Sequence, residues 1–278
     1  MPVFAFIDRS KSAESTLQHA VWASKVLDQQ LILVALIDGG EPDSPWQYDD
    51  FDGFDGRDDI YREMAPVERP EDPTAENAAI EIVQEAARRA RDLGAEHLRT
   101  VTSPETLVYF IEHSTSSHDL LVFGRDRNAS QLLGRQMDEV LRLRKRVMLL
   151  APERFAEPKN WLMALDGGPS SGRAVEYLIR NPLLRTIPGM AAIVGSDHQN
   201  RIHFRDAVRH LQSAGYEVKS HELQGGADDV LAAIMEVTPV DFLIMGAYSG
   251  GRFRSFFERS TTSRLLSSFK GAVLVARN

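Results

Sequence analysis

Short runs of apolar residues alternate along the chain with longer segments in which apolar positions recur every three or four residues. The runs have the length of strands, as in VFAFI, LILVALI, LLVFG and VMLLA of the first half. The periodic segments between them place apolar side chains on one face of a helix, for example Ala13, Leu17 and Val21. Uninterrupted apolar strands are typical of parallel sheets that are buried on both faces. The pattern therefore predicts an α/β fold in which helices flank a parallel sheet.

Punctuating residues mark where several helices begin and end. A helix is expected from Thr74, with Gly94 as its C-terminal cap. The next helix is expected to begin at Ser103-Pro104, and a last short helix of the first half to lie around residues 140–144.

The second half of the chain repeats the first. WLMALD, closed by Asp166, corresponds to VFAFID, closed by Asp8, at an offset of 158 residues, while DFLIMG corresponds to DLLVFG at an offset of 122. The difference between the offsets matches an insert in the first half. We therefore predict two tandem Rossmann-like domains, residues 1–151 and 160–278, each a five-stranded parallel sheet flanked by helices. The last strands, VMLLA and AVLVA, are expected to pair edge to edge, so that the domains pack as an intramolecular pseudo-dimer.

The insert in the first half is an acidic segment, residues 38–73. It contains thirteen Asp or Glu against three Arg, a local balance of −10, while the whole chain carries −8. It is rich in proline and has neither a helical nor a strand period. We interpret it as a long surface loop, with a lid over a binding site as the alternative.

Composition excludes several classes of protein. The chain has no cysteine, which excludes disulfides and thiolate metal sites and is typical of a reducing cytosol. The longest apolar run, Leu31 to Ile37, is too short to span a bilayer. The acidic net charge argues against general binding of nucleic acid. These features predict a soluble protein with a cytoplasmic location.

Two places in the sequence carry candidate chemistry. Asp8 and Asp166 each close the first strand of a half, at the sheet edge where α/β folds bind ligands, although each could instead cap the following turn. The second place is the stretch from Asp241 to Thr262, where Gly246 is expected to end a strand through the conformational freedom of glycine. A glycine and hydroxyl loop follows, and Ser260 opens the next helix. A strand, a bare loop and a helix N-terminus form a layout that binds phosphate.

Other sites are not supported by the sequence. No G-x-G-x-x-G follows the first strand, and no Walker sequence or calcium-binding loop is found. No nucleophile is paired with a base, and no metal-ligand spacing or pair of general-acid carboxylates is found. A dedicated enzyme is therefore the weaker interpretation.

The segments ALDGGPSSGRAV, MGAYSGGRFRSFFERSTTSRLL and AVLVAR resemble the universal stress protein family, and the doubled arrangement resembles its tandem-domain members. The resemblance implies ATP binding through the aspartate after the first strand and a motif G-x-x-G-x9-G-[ST] after the fourth. Asp166, Gly246 and Ser260 match this pattern, whereas Ser249 and Arg259 replace the second and third glycines. In the first half the same spacing begins at Gly124 but reaches Arg127, Met137 and Asp138. Asp138 would repel phosphate and is better interpreted as a helix cap.

The resemblance implies a stress-response regulatory protein that binds ATP or ADP in its second half, with Mg²⁺ only as a companion of the nucleotide. The residues expected to bind the nucleotide are Asp166, Gly246, Ser249, Gly250, Arg252, Ser260 and Thr261. A scaffold protein of the same family that binds no nucleotide is the alternative, and a slow ATPase is a weaker one.

Overall fold

The computed structural model describes residues 1–37, 73–125, 140–141, 143, 145–195, 197–246 and 269–277. These residues form ten strands: β1 Val3–Phe6, β2 Leu31–Leu36, β3 Leu98–Ser103, β4 Leu120–Gly124, β5 Val147–Ala151, β6 Trp161–Leu165, β7 Gly189–Val194, β8 Val218–Leu223, β9 Phe242–Gly246 and β10 Ala272–Ala276. They also form six helices: α1 Ala13–Leu27, α2 Pro73–Asp92, α3 Leu107–Ser114, α4 Pro169–Arg180, α5 His198–Ser213 and α6 Ala227–Val237.

The ten strands form one sheet in the order β3-β2-β1-β4-β5-β10-β9-β6-β7-β8. Pairing is parallel among β1 to β5 and among β6 to β10. In the centre, β5 and β10 pair antiparallel, with Leu150 opposite Val273 and Val147 opposite Ala276. Each half is thus a five-stranded parallel sheet with the same strand order, and the two halves form one continuous sheet. The predicted fold class is confirmed.

Apolar side chains cover both faces of this sheet. On one face Ala5, Leu33 and Leu149 pack with α1, α2, α4 and α5. On the other face Phe6 and Leu150 pack with α3 and α6. Because successive residues of a strand point to opposite faces, a strand covered on both sides is apolar at every position. Among the described helices, none is both long and apolar enough to cross a membrane.

Two boundaries in the first half differ from the predicted ones. Ser103 is the last residue of β3, and α3 begins only at Leu107, with Thr106 as its N-cap. The Ser103 hydroxyl accepts the backbone N–H of Glu105 at 3.2 Å, so it stabilises the turn between the two elements. The acidic segment lies outside the described residues except for Pro73, which begins α2.

Side chains of the first half contact the second half across the β5–β10 junction. The ring of Trp22 in α1 lies 6.0 Å from that of Phe242 in β9. The guanidinium of Arg125, directly after β4, donates to the carbonyl of Phe269 and, at 3.1 Å, to that of Gly271. The junction therefore consists of side-chain contacts as well as backbone pairing.

The segment that connects the halves is also held in place. Phe155 packs edge-on against His19 of α1, with ring centroids 4.8 Å apart. Asp241, before β9, accepts the backbone N–H groups of Lys159 and Asn160 at 3.0 and 3.2 Å. The exact domain limits, residues 1–151 and 160–278, stay a prediction.

Candidate functional site

Two of the predicted site residues lie at the ends of neighbouring strands. Asp166 directly follows β6, and Gly246 is the last residue of β9. Because β6 and β9 pair in parallel, both residues lie at the same edge of the sheet. From β6 the chain continues to β7 on one side, and from β9 to β10 on the other. Where neighbouring parallel strands are followed by connections to opposite sides, a crevice remains outside their carboxyl ends, and α/β folds bind ligands there.

The turn after β6 fixes the carboxylate of Asp166. Its Oδ1 accepts the N–H of Gly168 at 2.8 Å and the hydroxyl of Ser171 at 2.6 Å. The Ser171 oxygen in turn accepts the backbone N–H of Asp166 at 3.0 Å. Within the described part of the chain, the hydrogen bonds to this carboxylate all reach Oδ1. Oδ2 takes part in neither of these two bonds.

Gly246 allows β9 to approach the first turn of α4. A Cβ atom at this position would lie 2.6 Å from the carbonyl carbon of Ser170 and 2.6 Å from the nitrogen of Ser171. Gly246 is the last residue of β9, as predicted, but its φ is not positive and it is still paired with Ala276. Its role is steric, because a larger residue would push α4 away from the strand.

The corresponding turn of the first half is built differently. Asp8 Oδ1 accepts the backbone N–H of Ser10 at 2.9 Å, which resembles the turn at Asp166. At the offset of 158, however, Ala13 takes the place of Ser171. Gly124 keeps its position at the end of β4, where a Cβ atom would lie 2.1 Å from the hydroxyl oxygen of Ser12. The halves share the aspartate and the glycine, but the hydroxyl that orients the carboxylate belongs to the second half.

Hydrogen bonds also hold the residues beside the Asp166 turn. Among the residues that the structure describes, no three His, Asp or Glu side chains are grouped to hold a metal ion. The ring of His203 in α5 has partners at both nitrogens, since Nδ1 lies 3.3 Å from the carbonyl of Gly167 and Nε2 lies 3.0 Å from Nε2 of Gln199. Both ring nitrogens are therefore within hydrogen-bonding distance of groups of the protein.

The chain is similar to known proteins both in sequence and in fold. No known family model matches it. A universal stress protein from Synechocystis is 22% identical over 232 residues, which cover 81% of each chain. The crystal structure of a universal stress protein from Archaeoglobus fulgidus has a TM-score of 0.66 at 16% identity and covers 100% of this chain and 96% of its own. A functionally unknown protein from Pseudomonas aeruginosa has a TM-score of 0.57 at 14% identity and covers 99% and 92%.

The resemblance to the universal stress proteins is confirmed. These similarities extend over both halves, as expected for the tandem arrangement. At these identities, the likeness to the solved structures concerns the fold alone.

The universal-stress-type loop predicted after β9 lies outside the described residues. The predicted ligand-binding residues that fall there are Ser249, Gly250, Arg252, Ser260 and Thr261. Arg127 and Asp138 of the first half also lie outside the described residues. Their roles stay predictions.

Sequence reasoning missed one residue of the site, Ser171. Its signal was a hydroxyl five positions after the strand-closing aspartate, in the first turn of a helix that begins with Pro169. The sequence indicated a serine-rich turn at this place, but it could not show which of the two serines turns back to the carboxylate.

Proposed function

We propose that the chain binds an adenine nucleotide, ATP or ADP, at the carboxyl edge of its second half and acts as a stress-response regulatory protein. The observation that carries this proposal is the position of Asp166 and Gly246 at the ends of the parallel strands β6 and β9. From these two ends the chain continues to strands on opposite sides of the pair. In this view, occupancy of the crevice changes how the protein interacts with other proteins. Mg²⁺ would accompany the nucleotide.

Asp166 is the residue that would select a sugar hydroxyl. A carboxylate accepts hydrogen bonds, and both hydroxyls of a ribose can donate one. Ser171 and Gly168 hold Oδ1, so the direction of Oδ2 is fixed before a ligand arrives. A group that is oriented in advance loses less entropy on binding.

The proposal assigns the nucleotide to the second half because its aspartate is better oriented. Asp8 receives the backbone bond of Ser10, but Ala13 supplies no hydroxyl. The predicted loop residues favour the same half, since Ser260 matches the family motif where the first half has Asp138.

A scaffold that binds no nucleotide is the second candidate. It is favoured by the bonds of Asp166 within its own turn, since these give the residue a structural role without any ligand. Hydrolysis of a bound nucleotide would require a residue to activate water, and we do not assign one.

We further propose that the two halves are domains that pack as an intramolecular pseudo-dimer in the cytoplasm. The matching strand orders and the antiparallel β5–β10 pairing support this arrangement. The absence of cysteine is compatible with the cytoplasmic location.

Calorimetric titration of ATP and ADP into matched variants tests the proposal. Asp166→Asn keeps an oxygen for the turn but removes the charge, and Ser171→Ala removes the orienting hydroxyl. Loss of a hydrogen bond to a charged group costs about 1.5–3 kcal/mol, so Asp166→Asn should weaken binding by roughly tenfold to a hundredfold. Ser171→Ala should weaken binding by a smaller factor. Asp8→Asn, the control at the equivalent position, should leave the affinity unchanged. Equal losses from Asp8→Asn and Asp166→Asn would contradict the assignment, and no binding by the unmodified chain would favour the scaffold.

A further inference from the structure

A pocket lies between α4, which packs against β9 and β10, and α5, which packs against β7 and β8. Its volume is about 310 Å³, at the lower end of the range for small-molecule sites. Leu165, Phe204 and Ala207 contribute apolar walls, and the first turn of α4 closes one side.

A glycine in α4 keeps this pocket open. Gly172 lies inside the helix, where glycine is among the least favourable residues. Apart from its chain neighbours and the nearby backbone of α4, no atom of the described residues lies within 4 Å of a Cβ atom built at this position, so close packing does not require a glycine here. Its structural effect is to leave space in the wall of the pocket.

In the first half, a larger residue at the position of Gly172 connects the two equivalent helices. At the offset of 158, Glu14 of α1 takes the place of Gly172. Its carboxylate lies 2.8 Å from the guanidinium of Arg89 in α2, so an ion pair bridges the two helices that correspond to α4 and α5. The second half has a pocket between the equivalent helices.

The polar side chains that line the pocket are already engaged. The Ser171 hydroxyl is bonded to Asp166, and both ring nitrogens of His203 have partners. The remaining lining offers apolar carbon, so the covered part of a charged ligand would lose its hydration without compensation. An enclosed apolar cavity of about 150 Å³ accommodates benzene. This pocket is about twice as large but partly open to solvent, so a molecule of two fused rings would be covered on one side.

We propose that the pocket between α4 and α5 is a second binding site, which takes a small, uncharged, two-ring aromatic molecule. The site adjoins the proposed nucleotide crevice, because Gly168 and Ser171 both line the pocket and bond to Asp166. The two sites differ in their other walls: Gly246 approaches α4 at Ser170 and Ser171, whereas the pocket is bordered by Gly172 and by residues of α5.

Indole is a suitable probe. The full-length chain, labelled with ¹⁵N, is titrated with indole while the amide signals of Leu165, Gly168 and Ala207 are followed by NMR. We expect saturable shifts at these amides. Gly172→Glu places the residue of the first half in the wall and should weaken binding at least tenfold. Ile179→Glu, on the same helix but outside the lining and 40% exposed, is the control and should bind as the unmodified chain does.

Three results would overturn the proposal. The first is the absence of saturable shifts in the unmodified chain up to the solubility of indole. The second is equal affinity in the Gly172→Glu variant, with folding verified from the dispersion of the same spectra. The third is displacement of indole by ATP, because the pocket would then belong to the nucleotide site. If Gly172→Glu does not fold, Ala207→Phe fills the pocket from α5 and carries the same expectation.

Discussion

The buried histidine of α1 makes the stability of the protein depend on pH. His19 is 1% exposed. Its Nδ1 lies 2.8 Å from the carbonyl of Ser15, and its ring packs against Phe155. Burial lowers the pKa of His19 from 6.5 to about 4, and the hydrogen bond to Ser15 opposes this shift only in part. The folded protein therefore keeps this side chain neutral under conditions in which an exposed histidine is charged.

The direction of the effect follows from proton linkage. Because the pKa of His19 is lower in the folded state, the unfolded chain binds more protons between pH 4 and 6.5. The contribution of His19 to the free energy of unfolding is complete above pH 6.5 and decreases as the pH falls toward 4. With these pKa values, the free energy of unfolding decreases by about 2 kcal/mol between pH 7 and pH 5. The decrease from pH 7 reaches about 3 kcal/mol once the pH is below the pKa of His19 in the folded protein.

Urea denaturation of matched variants at pH 7, 6 and 5 measures this loss. His19→Asn keeps an N–H donor near the position of Nδ1 but does not titrate. Over this range the unmodified chain should lose about 2 kcal/mol more of its unfolding free energy than His19→Asn. His210→Asn, at an exposed position of α5, should follow the unmodified chain. Parallel curves for the unmodified chain and His19→Asn would refute the reasoning.

Two further sites test the packing within the second half and the attachment of the connecting segment. Gly246→Ala should cost about 1–3 kcal/mol, because its Cβ would lie 2.6 Å from backbone atoms of Ser170 and Ser171. Gly172→Ala, a control in open space, should be neutral or stabilising, so equal thermal unfolding of the two variants would contradict the steric argument. Asp241→Ala should cost about 1 kcal/mol, because the half-buried backbone N–H of Asn160 and the exposed one of Lys159 lose their acceptor. Asp241→Asn should recover part of this loss in urea denaturation, and an unchanged midpoint for Asp241→Ala would show that the linker is held by other contacts.

The fold could be predicted because the apolar pattern and the repeat agree. Buried parallel strands such as β4 and β9 are apolar at every position, and the offset of 122 relates them directly. The boundary between β3 and α3 was wrong for a local reason. Ser103 has the side chain of a helix cap, but the strand extends to it and its hydroxyl stabilises a turn instead.

The candidate site could be predicted less completely, because its contacts depend on the folded arrangement of distant segments. The strand-closing position indicated Asp166, but the sequence did not reveal its bond to Ser171. The steric role of Gly246 depends on the first turn of α4, 75 or more residues earlier in the chain. The contact of Arg125 with the carbonyl of Gly271 spans 146 residues, and no short-range pattern signals such a contact.

Native mass spectrometry of the full-length chain with added ATP tests the central claim most directly. We expect one adenine nucleotide per chain, with the bound fraction strongly reduced in Asp166→Asn and unchanged in Asp8→Asn. No bound nucleotide, two nucleotides per chain, or equal losses in both variants would contradict the claim that the second half is the nucleotide-binding half.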